Sequence, residues 1–155
     1  VNKQSDEILL EHEYRGVELD WIAVDTEENI GYFSTAGFGP IPASVISLGE
    51  VGDGLEELVR NLPICTSSVV TSLFRRDITD WIRAAERGLF AFDWRSSSSS
   101  YELIARPAKP VSCKLLSEPA MRVLVQRSLL PVRLSTTTRI KVKDGCWVSD
   151  KEGVK

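Results

Sequence analysis

Three times in this chain a short run of alternating side chains meets a few polar residues and resumes as a second run, a pattern that commits it to a sheet containing hairpins. Leu19-Asp20-Trp21-Ile22-Ala23-Val24-Asp25 alternates so that Leu19, Trp21 and Ala23 fall on one face and Asp20, Ile22 and Val24 on the other. Thr26-Glu27-Glu28-Asn29 is a polar turn, and Ile30-Gly31-Tyr32-Phe33-Ser34-Thr35 returns as the partner strand. A second pair runs from Leu89 to Trp94 and from Tyr101 to Arg106, around a flexible, polar loop of serines from Ser96 to Ser100. Pro107 and Pro110 then lack the N–H that further pairing needs. The third pair is Arg139 to Lys143 and Cys146-Trp147-Val148, where Asp144-Gly145 suits a type I′ turn with positive φ at both central positions.

Between these strands the apolar period lengthens to that of a helix. Asp53 is placed to cap a helix with Leu55, Leu58, Val59 and Leu62 on one face, stopped by Pro63. Asp77 is placed to cap another with Ile78, Trp81, Ile82 and Ala85 inward, and Gly88 fits the position after its end. Ser117-Glu118-Pro119 opens a third, with Met121, Leu124 and Val125 inward up to Pro131, although the run from Met121 to Val125 also reads as a strand. Ser5 to Tyr14 reads as a short helix. The expected fold class is α+β: a mostly antiparallel sheet built from hairpins, with two or three helices packed on one face. At 155 residues the chain fits a single globular domain, 1–155, with 1–15 and 150–155 allowed to be flexible.

The net charge of −3 conceals a separation along the chain. Val1 to Glu57 carries 13 acidic and two basic residues, and Leu58 to Lys155 carries nine acidic and 17 basic ones. Two arrangements satisfy this: the halves pack together and neutralise one another, or the acidic half forms a docking surface for a basic partner. The overall acidity argues against nucleic acid as a partner, because duplex binding draws on clustered Lys and Arg. No apolar run approaches the roughly 18 residues of a membrane span. Cys65, Cys113 and Cys146 are odd in number and without a Cys-x-x-Cys pair, and Val1 to Glu7 lack an apolar signal core; both features predict reduced thiols and a cytoplasmic protein. His12 is the single histidine, which removes His-rich zinc sites, and its flanking glutamates mark a solvated stretch. Nothing in the pattern asks for a cofactor.

Three segments are candidates for function. Gly37-Phe38-Gly39-Pro40-Ile41-Pro42 reads first as a turn from sheet to helix and, in the sharper alternative, as a ligand loop using Gly37, Phe38, Gly39 and Pro40. Asp20, Asp25, Glu27 and Glu28, with Asp53, Glu56 and Glu57 as a second group, are candidate partner-binding residues on an acidic face; Glu56 and Glu57 also suit the first turn of their helix. Asp20, Asp25 and Glu27 could alternatively serve a metal-assisted hydrolase, although ideal alternation sends Asp20 and Asp25 to opposite faces. Trp94, beside Asp93 and Arg95 at the mouth of the serine loop, is the aromatic candidate for partner contact.

Glu18 to Asp25 continuing through Gly31 to Pro42, together with Phe90-Ala91-Phe92-Asp93-Trp94 and Tyr101 to Pro107 with Pro110, resembles small uncharacterised bacterial proteins similar to the immunity proteins of polymorphic-toxin and contact-dependent inhibition loci. The resemblance spans roughly Glu18 to Val111, and its motifs are structural, with no catalytic residue to carry over. It implies a cytoplasmic, non-enzymatic binding protein that neutralises a cognate toxin domain. The acidic face would suit a basic toxin site, and the alternatives are a small-ligand or peptide-binding module at the Gly37–Pro42 loop and the hydrolase.

Overall fold

In chain order the elements are β1 (Ile8–Leu9), β2 (Asp20–Val24), β3 (Ile30–Ser34), β4 (Ile41–Pro42), α1 (Ala43–Ile46), α2 (Glu50–Arg60), β5 (Ser68–Val70), α3 (Thr79–Glu86), β6 (Phe90–Arg95), β7 (Ser100–Pro107), β8 (Arg139–Lys143) and β9 (Cys146–Ser149). They come from a computed structural model that describes residues 8–9, 16–46, 50–71, 76–116, 119, 122–123, 130–143 and 146–149.

The fold is α+β. Strands run in the order β2-β3-β6-β7-β8-β9, and β5 pairs with β7 beside β8. Long β7 makes this possible: Ser100 to Glu102 pair with β8, and Ala105 to Pro107 pair with β5. All three expected hairpins form, with Lys143 opposite Cys146 across the third; its turn residues, Asp144 and Gly145, lie outside the described residues. The sheet is nevertheless mixed, which corrects the expectation of one assembled from hairpins. β3 and β6 are parallel, with Phe33 opposite Phe92, because the chain leaves β3 through β4, α1, α2, β5 and α3 before returning as β6. A crossover of that length can set strands parallel, which a short turn cannot.

Both sheet faces are covered, and the alternation in β2 and β3 decides what meets what. Trp21, Ala23 and Phe33 enter an aromatic cluster with Phe92, Tyr101 and Trp147. Ile22, Val24, Ile30 and Tyr32 face the helices, where they meet Leu55 and Val59 of α2 and Ala84 of α3. Trp21 stacks on Phe33 at 4.1 Å between ring centroids and Phe33 on Phe92 at 5.0 Å, so the stack crosses three strands. Such ring pairs add about 0.5–1.5 kcal/mol each beyond the area they bury.

The helices depart from expectation in detail. α2 and α3 cover one face as predicted, whereas Val45 and Ile46 of α1 pack on the other, against the aromatic cluster. α2 begins at Glu50, so Asp53 lies inside it and does not cap it, and Leu58 is exposed. Ile78 holds the N-cap position of α3 without a side-chain cap bond, and Asp77, one residue earlier, accepts from Thr79 N at its Oδ1 at 2.9 Å. The Thr79 hydroxyl, which donates to the same oxygen, and then this amide hold the carboxyl below its ordinary range. At the other end Gly88 has φ +93°, and its N–H and that of Leu89 donate to the carbonyls of Ala85 and Ala84, closing the helix with a left-handed residue. Trp81 is half-buried, its Nε1 donating to the Phe92 carbonyl at 3.3 Å. Ile8 and Leu9 pair with β4, which corrects the helix expected over Ser5 to Tyr14. Of the third helix, Pro119, Arg122 and Val123 are described and are helical; Met121, Leu124 and Val125 lie outside the described residues, as do the ends 1–7 and 150–155.

Candidate functional site

The acidic residues of the first hairpin do not form one open strip. Asp25 is buried, and its carboxylate accepts from Glu27 N and Asn29 N, each at 2.9 Å, from Asn29 Nδ2 at 3.3 Å and from Leu134 N at 2.8 Å. It ties the β2–β3 turn to a later loop. Asp20 faces the helices: it accepts from the Tyr32 hydroxyl, from Ser34 Oγ at 2.7 Å and from Arg60 Nη2 at 2.8 Å. Burial first, and the adjoining Asp20 carboxylate second, push the Tyr32 hydroxyl well above its ordinary value, so it stays a donor. Glu56 pairs with Arg60 at 2.6 Å, Glu28 with Lys114 at 3.3 Å and Glu27 with Arg133 at 4.0 Å. Each of these pairs joins an acid of the first part of the chain to a base of the second. Among the described residues, Asp20, Glu27, Glu28 and Glu56 are thus drawn into ion pairs within the fold, while Glu18 stays exposed. Glu57 is exposed, and the side chain of Asp53 lies outside the described ones.

The same placement corrects the hydrolase grouping. Asp20 sits with the helix-side residues and Asp25 with the loop that carries Leu134 of the opposite cluster. Among the described residues no group of three His, Cys, Asp or Glu is placed to hold a metal ion. Cys113 is buried, and desolvation raises its thiol above the ordinary value, which suppresses the nucleophilic thiolate. Cys65 is exposed, and His12 lies outside the described residues.

The Gly37–Pro42 loop is a turn that spends its amides on itself. Gly37 N donates to Thr35 Oγ1 at 3.3 Å, and Phe38 N and Gly39 N both donate to the Thr35 carbonyl, at 3.0 and 2.8 Å. Thr35 Oγ1 also accepts from Leu19 N at 3.0 Å. An anion cradle needs free N–H groups, and these three are occupied, so the ligand-loop reading of the backbone is corrected. Gly39 lies against Tyr101 and Trp94, where a Cβ would strike the Tyr101 hydroxyl, and the Pro40 carbonyl accepts from that hydroxyl at 3.0 Å. Gly16 N donates to the Gly37 carbonyl at 2.7 Å, which anchors the other side.

What this turn presents is Phe38, 55% exposed between two fixed glycines. Val17, next to Gly16, is also exposed. Trp94 is half-buried, packed on the aromatic cluster with its ring centroid 5.1 Å from that of Tyr101. One end of the sheet therefore holds an exposed aromatic ring on a rigid mount, beside a partly accessible indole. Sequence reasoning named Phe38 and Trp94 separately; Tyr101, which joins them, and Arg60, which consumes Asp20, went unnoticed.

Comparison with family models, curated proteins and solved structures finds no match to this chain. Among the described residues no helix is long and apolar enough to cross a membrane.

Proposed function

We propose that the chain is a non-enzymatic binding protein that engages a partner protein through the Phe38 end of the sheet, and that the partner is a toxin domain of the kind the resemblance implies. The observation that carries the reading is the exposure of Phe38 on a turn whose amides at Gly37, Phe38 and Gly39 close on Thr35. An aromatic ring held in place loses little conformational freedom on binding, so most of its buried area reaches the affinity. Aromatic side chains of this kind are the usual anchors of protein interfaces. Asp20, Glu27, Glu28 and Glu56 are not the anchor in this reading, because each already meets a base within the fold.

The test is co-expression with the toxin domain encoded beside this chain's gene, scored as growth, together with titration of the purified pair. The expected result is that wild type restores growth and that Phe38→Ser weakens binding by about tenfold or more, the loss of a hot-spot contact. Restoration of growth unaffected by Phe38→Ser and Trp94→Ala would remove this surface. Failure of the wild-type chain to bind that domain would remove the partner class.

A further inference from the structure

We infer that the groove between α2 and α3 is a binding site for a small oxyanion, a carboxylate or phosphate group carried on a short apolar body. The groove has a volume of about 320 Å³. Tyr32, Val59, Ala84 and Leu89 are its buried lining, and Arg60, Arg83 and Arg87 supply its positive charge. That volume is at the small end of ligand pockets, roughly 300–1,000 Å³, which favours a small molecule over a folded segment.

The charge inside the groove is unevenly spent. Asp20 is saturated by Tyr32, Ser34 and Arg60, and Arg60 is shared between Asp20 and Glu56. Arg83 and Arg87 differ: neither meets a carboxylate among the described residues, whereas Arg76, Arg133 and Arg139 each do. Arg87 is held in place, its Nε donating to the Leu62 carbonyl at 3.0 Å and Nη1 to the Arg83 carbonyl at 3.2 Å. Among the described residues nothing accepts from its Nη2, which is left for a ligand.

Arg83 lies in the last turn of α3 and Arg87 is the residue that ends it, four positions on, a spacing at which like charges repel. An oxyanion between them removes that repulsion and gains charge-assisted hydrogen bonds, and guanidinium groups match planar or tetrahedral oxyanions well. Val59, Ala84 and Leu89 then offer apolar surface to the remainder of the molecule. Asp80, exposed at the same rim, opposes a second negative charge. The groove therefore suits a compact, weakly charged anion better than a polyanion.

The probes are butyrate, butyl phosphate and, as the uncharged control, butanol, titrated into the full chain at constant ionic strength and followed by calorimetry and by arginine side-chain NMR shifts. At least one anion is expected to bind with a Kd near or below about 1 mM, with butanol silent. The two anion arms separate a carboxylate site from a phosphate site. Arg83→Ala and Arg87→Ala are each expected to weaken binding by about tenfold, and Asp80→Asn to strengthen it by about twofold. Arg83 is exposed and decides the matter should Arg87→Ala disturb the fold. No binding of either anion up to about 10 mM, binding unchanged in Arg83→Ala, or butanol binding as well as the anions would each overturn the inference.

Discussion

Trp21 donates its indole N–H to the Tyr101 hydroxyl at 3.1 Å, although 80 positions separate the two in the chain. The same hydroxyl donates to the Pro40 carbonyl at 3.0 Å, so one buried oxygen joins β2, β7 and the turn that carries Phe38. Tyr101→Phe keeps the ring and removes the oxygen, leaving an indole N–H and a carbonyl unpaired. A loss of about 2 kcal/mol or more is expected. Urea unfolding of the two proteins measures it, and an unchanged midpoint would show that the hydroxyl is dispensable.

Gly39 is where the same hydroxyl needs room. Gly39→Ala places a methyl group against Tyr101 and Trp94, with an expected cost of about 1–3 kcal/mol, typical of overpacking. In a Tyr101→Phe background the same change should cost less, because part of the obstruction is gone. The comparison is a double-mutant cycle, and strict additivity would contradict the contact.

Asp25 is expected to be structural rather than a contact residue. Asp25→Ala leaves the amides of Glu27, Asn29 and Leu134 without their acceptor, with a predicted loss of about 3 kcal/mol or more. Hydrogen exchange should show those three amides losing protection together. A stable Asp25→Ala variant with normal protection would return Asp25 to the list of surface candidates.

Asp93 gives the chain a pH dependence of definite sign. Burial lifts its carboxyl above the ordinary 3.8 and outweighs the opposing pull of Arg76, which pairs with it. A carboxyl whose value is raised by folding holds its proton more firmly in the folded chain. Its contribution is therefore complete below 3.8 and declines as pH rises through the folded value. The stability of wild type relative to Asp93→Asn should fall as pH is raised from about 3 toward 7, and Arg76→Ala should steepen the fall. Denaturation midpoints across that range measure the difference, and a flat or rising difference contradicts it.

Much of the architecture was legible because it depends on neighbours in the chain. Alternation over Leu19 to Asp25 assigns each side chain to a face, since consecutive Cβ atoms in a strand point opposite ways; Trp21 and Ile22 duly enter different clusters. Gly88 was readable as a helix terminus because a left-handed residue is a local requirement. The start of α2 was misread, since Glu50 to Gly52 carry no marked helical face from which to place its first turn.

The candidate residues were a different matter. Asp20 and Asp25 look equivalent in a row of letters, yet Asp20 meets Arg60, 40 positions away, and Asp25 meets the Leu134 amide, 109 away. The parallel match of β3 with β6 likewise depends on the path of the chain between them. Periodicity and turn chemistry are written in adjacent residues, so hairpins and faces follow from them directly. Apart from Glu56 and Arg60, four apart on one helix, which acid finds which arginine depends on how distant segments are brought together, as does which ring is left facing water, and no local pattern encodes that.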